Sequence, residues 1–376
     1  MSKNIIFPFS ILHIAECAGG VERYLQMLMP RLKAKGLRQY FICSKNYDIQ
    51  SYSDMVDGVE QMDLKQTFSP FQVMKKVWQI RKQIKKFHPD IVYCHSSFAG
   101  GLGRLAAIRS GCKVVYNPHG WAFNIKQYMS VEGKRYQIIE KLLSPCTDKI
   151  VCISPFEKMN AEKEHIAQDD KLELIPSGID IEKVRKAKAI ARKDIGIADD
   201  AYVVGMVGRL CVTKAIDTFI HAAKLIHSKL PNSVFIIVGD GEERKETELF
   251  AKVNGLQLIV TGWIDNPYSY LKVFDVALLL SRWEGFGLAI VEYMAAEKNV
   301  IATKTGGIAY LIDDGVDGLF VQLDTPHDVC EKVMWLYNHP KEAAEMRKAA
   351  LKKVYEKYDI RRVVDQHAEM FMNLCN

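Results

Sequence analysis

Long apolar runs are missing from this chain of 376 residues. None approaches the roughly 18 residues that a membrane-crossing helix needs, which argues against an integral membrane protein. The opening stretch, MSKNIIFPFS, has neither the apolar core nor the small-residue cleavage site of a signal peptide. Cysteine is present but unpatterned. The nine residues Cys17, Cys43, Cys94, Cys112, Cys146, Cys152, Cys211, Cys330 and Cys375 are odd in number and never spaced C-x-x-C. Reduced cytoplasmic thiols, most of them small buried hydrophobes, fit this better than disulfides or a zinc site. Internal repeats, low-complexity segments and Asp-rich metal motifs are also lacking. Gly101-Leu102-Gly103 misses the third glycine and the acidic partner of a dinucleotide fingerprint, and reads as close helix–strand packing. No RNA or DNA motif accompanies the modest basic excess, so a nucleic-acid partner is disfavoured.

What is there suits buried cores. Hydrophobic residues make up 48% and charged residues 26%, and the length fits two domains of about 150–200 residues. The net charge of +6 is uneven. Residues 1–178 hold 25 Lys and Arg against 17 Asp and Glu, or +8; residues 179–376 hold 26 against 28, or −2. A basic first half suggests an anionic surface or ligand. Strand-like runs alternate with helix-like ones. In the first half the strands are Ile11–Ala15, Tyr40–Cys43, Ile91–Cys94, Lys113–Tyr116 and Lys149–Ile153. In the second they are Tyr202–Val207, Val234–Val238, Leu258–Thr261, Val276–Leu280, Asn299–Ala302 and Leu319–Val321. That alternation predicts an α/β protein with parallel sheets covered on both faces. The turn residues Pro176-Ser177-Gly178, where the charge balance changes, divide domain 1–178 from domain 179–376. A charged helical stretch is expected over Ile181–Lys193. Another, Lys341–Asn376, either caps the second sheet or crosses back to the first domain.

Ligands of open parallel sheets bind at the carboxyl ends of strands. The segment Ser281–Glu292 follows one such strand and opens a helix. Gly285 and Gly287 leave amides uncovered at the helix start, where the dipole favours a phosphate. Glu292, about one turn in, is an acceptor-only group suited to the two hydroxyls of a ribose. Glu284 could bond sugar hydroxyls or stabilise developing positive charge. Arg209 and Lys214 follow the strand Tyr202–Val207 and could neutralise a diphosphate without a metal. Gly19-Gly20 would let a substrate approach the backbone, although an ordinary strand-to-helix turn is nearly as good a reading. His119, beside Gly120 at a strand end, is either a satisfied structural histidine or a site residue.

These segments resemble the retaining GT-B glycosyltransferases of family 4, the glycosyl transferases group 1, of the bacterial surface-polysaccharide type. The resemblance rests on Glu284, the run Gly285-Phe286-Gly287-Leu288 and Glu292, eight residues after the first glutamate. It rests as well on Gly19-Gly20, His119-Gly120, Val151–Ser154, Ile175–Asp180, Val207–Leu210 with Lys214, Val238–Gly241 and Gly306-Gly307, in that order. It implies a GT-B fold, two Rossmann-like domains whose parallel sheets face a central cleft. The first domain would bind the acceptor through Gly19, Gly20 and His119. The second would bind a nucleotide-sugar, read as a UDP-sugar, through Arg209, Lys214, Gly285, Phe286, Gly287, Leu288 and Glu292, with Gly20 also at the donor. The catalytic set would be His119, Glu284, Arg209 and Lys214. In the family a histidine at this place approaches the transferred sugar, and the Arg and Lys serve the donor diphosphate. No cofactor or essential metal is implied. Five positions depart from the family pattern. Ala215 and Glu297 stand where glycine is usual, Asn299 where proline is usual, and Ala309-Tyr310 where Pro-Glu is common.

The expected activity is transfer of a hexose or N-acetylhexosamine, with retention, to a glycan or polyprenyl-diphosphate-linked saccharide. The expected place is the cytoplasm, at the inner membrane face. Val73–Phe87 (VMKKVWQIRKQIKKF) reads as a basic amphipathic helix. Its apolar stripe is Val73, Val77, Trp78, Ile80, Ile84 and Phe87, with Lys75, Lys76, Arg81, Lys82, Lys85 and Lys86 elsewhere. It either covers the first sheet or lies on anionic lipid. Two other functions remain open: a GT-B nucleotide-sugar epimerase, and a non-catalytic nucleotide-sugar or glycan-binding protein.

Overall fold

The computed structural model describes residues 9–16, 19–124 and 131–376. Cys17 and the first eight residues lie outside them. The chain divides into two compact units, Met1–Gly178 with Ile360–Asn376, and Ile179–Asp359.

In the first unit, β1 (Ser10–Ala15), α1 (Gly20–Ala34), β2 (Arg38–Ser44), β3 (Gly58–Met62), α2 (Pro70–Phe87), β4 (Ile91–His95) and α3 (Ser97–Ala107) are followed by β5 (Lys113–Asn117), α4 (Val131–Leu143), β6 (Lys149–Cys152), α5 (Pro155–Lys163) and β7 (Leu172–Leu174). The seven strands form one sheet in the order β3-β2-β1-β4-β5-β6-β7, and every pairing is parallel. Side chains alternate between its faces, as the pleat requires. Ile11, Ala15, Ile91 and Tyr93 point to one core. Leu12, Ile14, Val92 and Cys94 point to the other. α1 packs on the first face through Tyr24, Leu25, Leu28 and Leu32, which repeat at helical spacing. On the other face α3 sits close to the sheet because its glycines allow it. A Cβ on Gly100 would stand 2.4 Å from the Tyr116 ring, and one on Gly103 2.4 Å from Cys94 Sγ.

The second unit contains α6 (Ile181–Lys186), β8 (Tyr202–Val207), α7 (Ile216–Lys229), β9 (Ser233–Val238), α8 (Arg244–Val253), β10 (Leu258–Val260), α9 (Tyr268–Leu271) and β11 (Val276–Leu279). α10 (Leu288–Ala295), β12 (Asn299–Thr303), β13 (Leu319–Val321), α11 (Pro326–Asn338) and α12 (Pro340–Lys357) complete it. Its six strands run β10-β9-β8-β11-β12-β13, again all parallel. Each unit is thus a parallel sheet flanked by helices. The strand order reverses between β1 and β4 in one and between β8 and β11 in the other.

Three expectations change. The helix at Ile181 stops at Lys186, where Ala187 takes an extended backbone. The helical stretch after Lys341 holds two helices. α12 stays with the second unit, and α13 (Ile360–Cys375) returns to the first. There Val363, Val364, Ala368 and Phe371 join the α1 face of the core. On α2, Lys76 is buried rather than on a solvated face, donating to the Asp63 carbonyl. Trp78, placed in the buried stripe, is 65% exposed.

Candidate active site

In the second unit the sequence-selected residues meet at the carboxyl ends of β8 and β11, on either side of the switch point. Lys214 ends a short 3-10 turn, Val212–Lys214, after β8. Its Nζ pairs with Glu284 Oε1 in the loop after β11. Ser281 Oγ donates to the same oxygen at 2.9 Å. Arg282, which sequence reasoning passed over, ties the two loops together. Its backbone N–H donates to the Thr213 carbonyl at 2.8 Å, and its guanidinium donates to the Val212 carbonyl at 2.6 Å. The remaining guanidinium nitrogens bond Asp217 at 2.6 Å and Asp324 at 2.8 Å. These carboxylates hold the guanidinium's pKa above its ordinary value against the cost of partial burial. Arg209 stands apart from this pair. Its side chain is 71% exposed and forks onto Glu242.

The glycines here serve close backbone approach. A Cβ on Gly306, whose φ is +51°, would stand 2.0 Å from the Glu284 carbonyl oxygen. One on Gly307 would stand 2.2 Å from that of Gly285, and Gly307 N–H donates to the Glu284 carbonyl at 2.9 Å. One on Gly241 would stand 2.2 Å from the Leu210 carbonyl oxygen. The strand-end loops therefore lie backbone on backbone. Gly287, at φ +101°, caps α10, while the Phe286 side chain turns inward, edge-on to Tyr358 at 5.8 Å. Leu288 opens the helix and is partly buried. Glu292 is 2% exposed, and the Tyr268 hydroxyl, another residue missed, donates to its Oε1 at 3.2 Å. Neighbouring Tyr293 accepts from Val207 N–H at 2.7 Å, pinning α10 to the end of β8.

In the first unit, Gly19 takes φ +84° ahead of α1. A Cβ on Gly19 or Gly20 would meet nothing within 4 Å among the described residues. His119 follows β5 in the left-handed region, at φ +52°. Asn117 Oδ1 holds that turn by accepting from His119 N–H at 2.9 Å. The Tyr24 ring meets His119 edge-on at 4.8 Å. Behind His119 lies a polar cluster that sequence reasoning missed. His95 Nδ1 stands 3.0 Å from His119 Nε2, and His13 Nδ1 3.2 Å from His95 Nε2. His367, on α13, joins the hydroxyls of Tyr24 and Tyr93 at 2.8 and 3.0 Å. Burial lowers the pKa of His13 and His119 to about 3 and of His367 to about 4, and takes His95 well below its ordinary value. All four imidazoles are neutral at physiological pH. A histidine within an otherwise apolar strand, inside it at Leu-His-Ile and at its end at Tyr-Cys-His, was the one available signal.

Among the described residues, no group of three or more His, Cys, Asp or Glu stands close enough to hold a metal ion.

The comparisons agree with this architecture. Residues 18–183 match the family model Glycosyltransferase Family 4, and residues 187–353 match Glycosyl transferases group 1. The chain is 32% identical over 293 residues to the UDP-Gal:alpha-D-GlcNAc-diphosphoundecaprenol alpha-1,3-galactosyltransferase of Escherichia coli, covering 75% of this chain and 76% of that one. It is 23% identical over 319 residues to the capsular polysaccharide biosynthesis glycosyltransferase CapM of Staphylococcus aureus, covering 82% of each. Among solved structures, Anabaena HepE in complex with UDP and glucose matches with a TM-score of 0.81 at 19% identity, over 97% of this chain and 99% of that one. Two parallel sheets with helices on their faces, and family matches over both units, lead to one assignment: the chain belongs to the GT-B glycosyltransferases of family 4 and group 1, enzymes that move a sugar from a nucleotide-sugar donor to an acceptor.

Proposed function

We propose that this enzyme transfers a hexose or N-acetylhexosamine from a UDP-sugar, with retention, to a glycan or polyprenyl-diphosphate-linked saccharide in surface-polysaccharide synthesis. The observation that carries the reading is the Lys214–Glu284–Ser281 group at the switch point of the second sheet, fastened by Arg282. A diphosphate arriving there meets a lysine, the amides around Gly285–Gly287 and the start of α10. Arg209, held by an exposed carboxylate, can exchange Glu242 for phosphate at little energetic cost, because surface ion pairs contribute little. Glu292 takes the ribose hydroxyls, and Glu284 bonds the sugar. Support for UDP and for a lipid-linked acceptor is the name of the Escherichia coli relative, a UDP-Gal galactosyltransferase acting on alpha-D-GlcNAc-diphosphoundecaprenol. The diphosphate needs no metal in this reading, since protein cations and amides supply the positive charge.

The acceptor hydroxyl attacks from the face the diphosphate leaves. The anomeric carbon–phosphate oxygen bond breaks as the carbon–acceptor oxygen bond forms. The hydroxyl proton passes to the departing β-phosphate. The first unit holds the acceptor near Gly19 and Gly20, and His119 bonds the transferred sugar.

The same unit docks on anionic lipid through α2. Phe71, Met74 and Trp78 are 80%, 61% and 65% exposed at helical spacing, with exposed Lys75, Lys82 and Lys86 on the same helix. Apolar side chains standing in water beside lysines suit a lipid interface better than a solvated face. No helix among the described residues is long and apolar enough to cross a membrane.

The test is product formation. The enzyme is given a panel of UDP-hexoses and UDP-N-acetylhexosamines, in EDTA, with a GlcNAc-diphosphate-lipid acceptor, and the anomer is read by NMR. An α-linked product from an α-linked donor, lost about 100-fold in Lys214→Ala, is expected. Failure to bind UDP, or an inverted product, overturns the reading. Flotation with anionic liposomes should weaken for a Phe71→Ser, Trp78→Ser double variant; unchanged flotation removes the lipid surface.

A further inference from the structure

We propose that Gln39, His13 and His95 are positioning residues that lock His119 in its Nε2–H tautomer, so that Nδ1 is left to accept a hydrogen bond from a hydroxyl of the transferred sugar. The proposal rests on the reading that His119 faces that sugar.

The chain of constraint starts at a fully buried amide. Gln39 Nε2 donates to two backbone carbonyls, Met29 at 2.7 Å and Met55 at 3.3 Å. Carbonyls only accept, so the amide cannot be turned round. Gln39 Oε1 therefore faces His13 Nε2, at 3.1 Å. An amide oxygen has no proton to give, so His13 Nε2 carries the hydrogen. A neutral imidazole has one N–H, which leaves His13 Nδ1 bare. His95 Nε2 must then donate across the 3.2 Å contact, and His95 Nδ1 is bare in turn. His119 Nε2 must donate across 3.0 Å, and the last lone pair of the series is His119 Nδ1. Neutrality is enforced by burial: His13 and His95 are 0% exposed.

The reverse order is blocked at its far end. It would set the Gln39 oxygen against a bare His13 nitrogen, two lone pairs facing each other at 3.1 Å in a dry core. An amide also cannot take up or release a proton, unlike a carboxylate. The row is thus a lock and not a proton shuttle. The far side of His119 is held too, by Tyr24 edge-on at 4.8 Å and by Asn117 on its backbone N–H. The outcome is an acceptor of defined direction: a neutral hydroxyl can bond Nδ1, whereas a carboxylate or phosphate oxygen meets only a lone pair.

The full-length enzyme labelled with 15N-histidine decides this by long-range 1H–15N correlation, which separates protonated from bare ring nitrogens. His13, His95 and His119 should each be protonated at Nε2 alone. Gln39→Leu removes the terminal acceptor; His119 should become a tautomer mixture and kcat should fall roughly tenfold, with donor KM changing less. A wild-type His119 protonated at Nδ1 overturns the lock, as does an unchanged His119 spectrum in Gln39→Leu. The wild-type spectrum decides alone if that variant fails to fold. Full activity in His119→Ala would instead remove the sugar contact and so the purpose of the lock, whatever the spectrum.

Discussion

The two units have the same architecture but build their strand-end loops from opposite materials. The first backs His119 with neutral side chains: His13, His95, His367, Tyr24 and Tyr93, all at or near zero exposure. The second packs its loops through glycine, backbone against backbone, and braces them with Arg282 and the Lys214–Glu284 pair. None of its four histidines, His221, His227, His327 and His339, is buried. A side-chain floor depends on protonation, whereas a glycine floor depends on the volume of a single atom. The two halves of one enzyme should therefore fail under different insults.

Acid should separate them most widely. A histidine buried neutral stabilises the fold fully above its unfolded pKa of about 6.5, and that stability drains as pH falls toward the folded value. For His13 the folded value is about 3 and for His367 about 4. At pH 5 each should cost about 2 kcal/mol, with His95 adding to the same slope. Glu157 opposes them. It is fully buried, and desolvation pushes its pKa up to about 8, so it favours the fold at lower pH and offsets one histidine's slope between pH 4.5 and 6.5. Urea titrations should show the transition reporting on Trp121, in the first unit, collapsing toward pH 5. That reporting on Trp335, in the second, should move less. Equal loss in both transitions would erase the contrast. Glu157→Gln should steepen the first unit's acid slope, since its counterweight is gone.

Sterics should break the second unit instead. Gly306→Ala puts a Cβ 2.0 Å from the Glu284 carbonyl at φ +51°, where neither backbone can yield cheaply. A loss of about 3–4 kcal/mol is expected, with donor binding lost alongside. Gly20→Ala, with nothing within 4 Å among the described residues, should cost under about 1 kcal/mol. A mild Gly306→Ala would mean that the loops are not held by close approach.

This contrast decides what could be read beforehand. Apolar runs marked eleven of the thirteen strands among the described residues. The two missed, β3 and β7, are the outer strands of the first sheet, and GVEQM and LEL carry too little apolar pattern to stand out. The charged residues and glycines of the second unit were legible because they cluster locally, between Val207 and Lys214 and between Ser281 and Glu292. The histidine floor was not. Its members lie 82 residues apart for His13 and His95, and 274 for Tyr93 and His367. Only folding brings them together, and α13 has to return to the first unit to supply one of them. Lys76 misled for a related reason. A long stem can bury its length while its amine finds a carbonyl, here that of Asp63.

The two cations of the second unit sharpen the comparison at the level of turnover. Lys214 is 24% exposed and Arg209 71%. Charge in a drier place works against a lower effective dielectric. Lys214→Ala should thus cost about 100-fold in kcat and Arg209→Ala about tenfold, measured with saturating acceptor. An equal loss would place both cations in the same surroundings during transfer, against their different burial here.

The smallest effect concerns the family's missing glycine. Ala215 and Glu297 stand where glycine is usual, and both adopt the left-handed backbone, at φ +52° and +58°. This chain has kept the bend and dropped the residue that bends freely. At Ala215 the strain is about 1–2 kcal/mol. Returning to glycine would relieve it, but would loosen the unfolded chain by about 0.4–1 kcal/mol. It would also remove a methyl that is 0% exposed, worth about 0.8 kcal/mol. The three contributions nearly cancel, so Ala215→Gly should change stability by no more than about 0.5 kcal/mol in chemical denaturation. A gain above about 1.5 kcal/mol would show that strain beside Lys214 is retained at real cost, and would point to alanine holding the lysine's turn for catalysis rather than for folding.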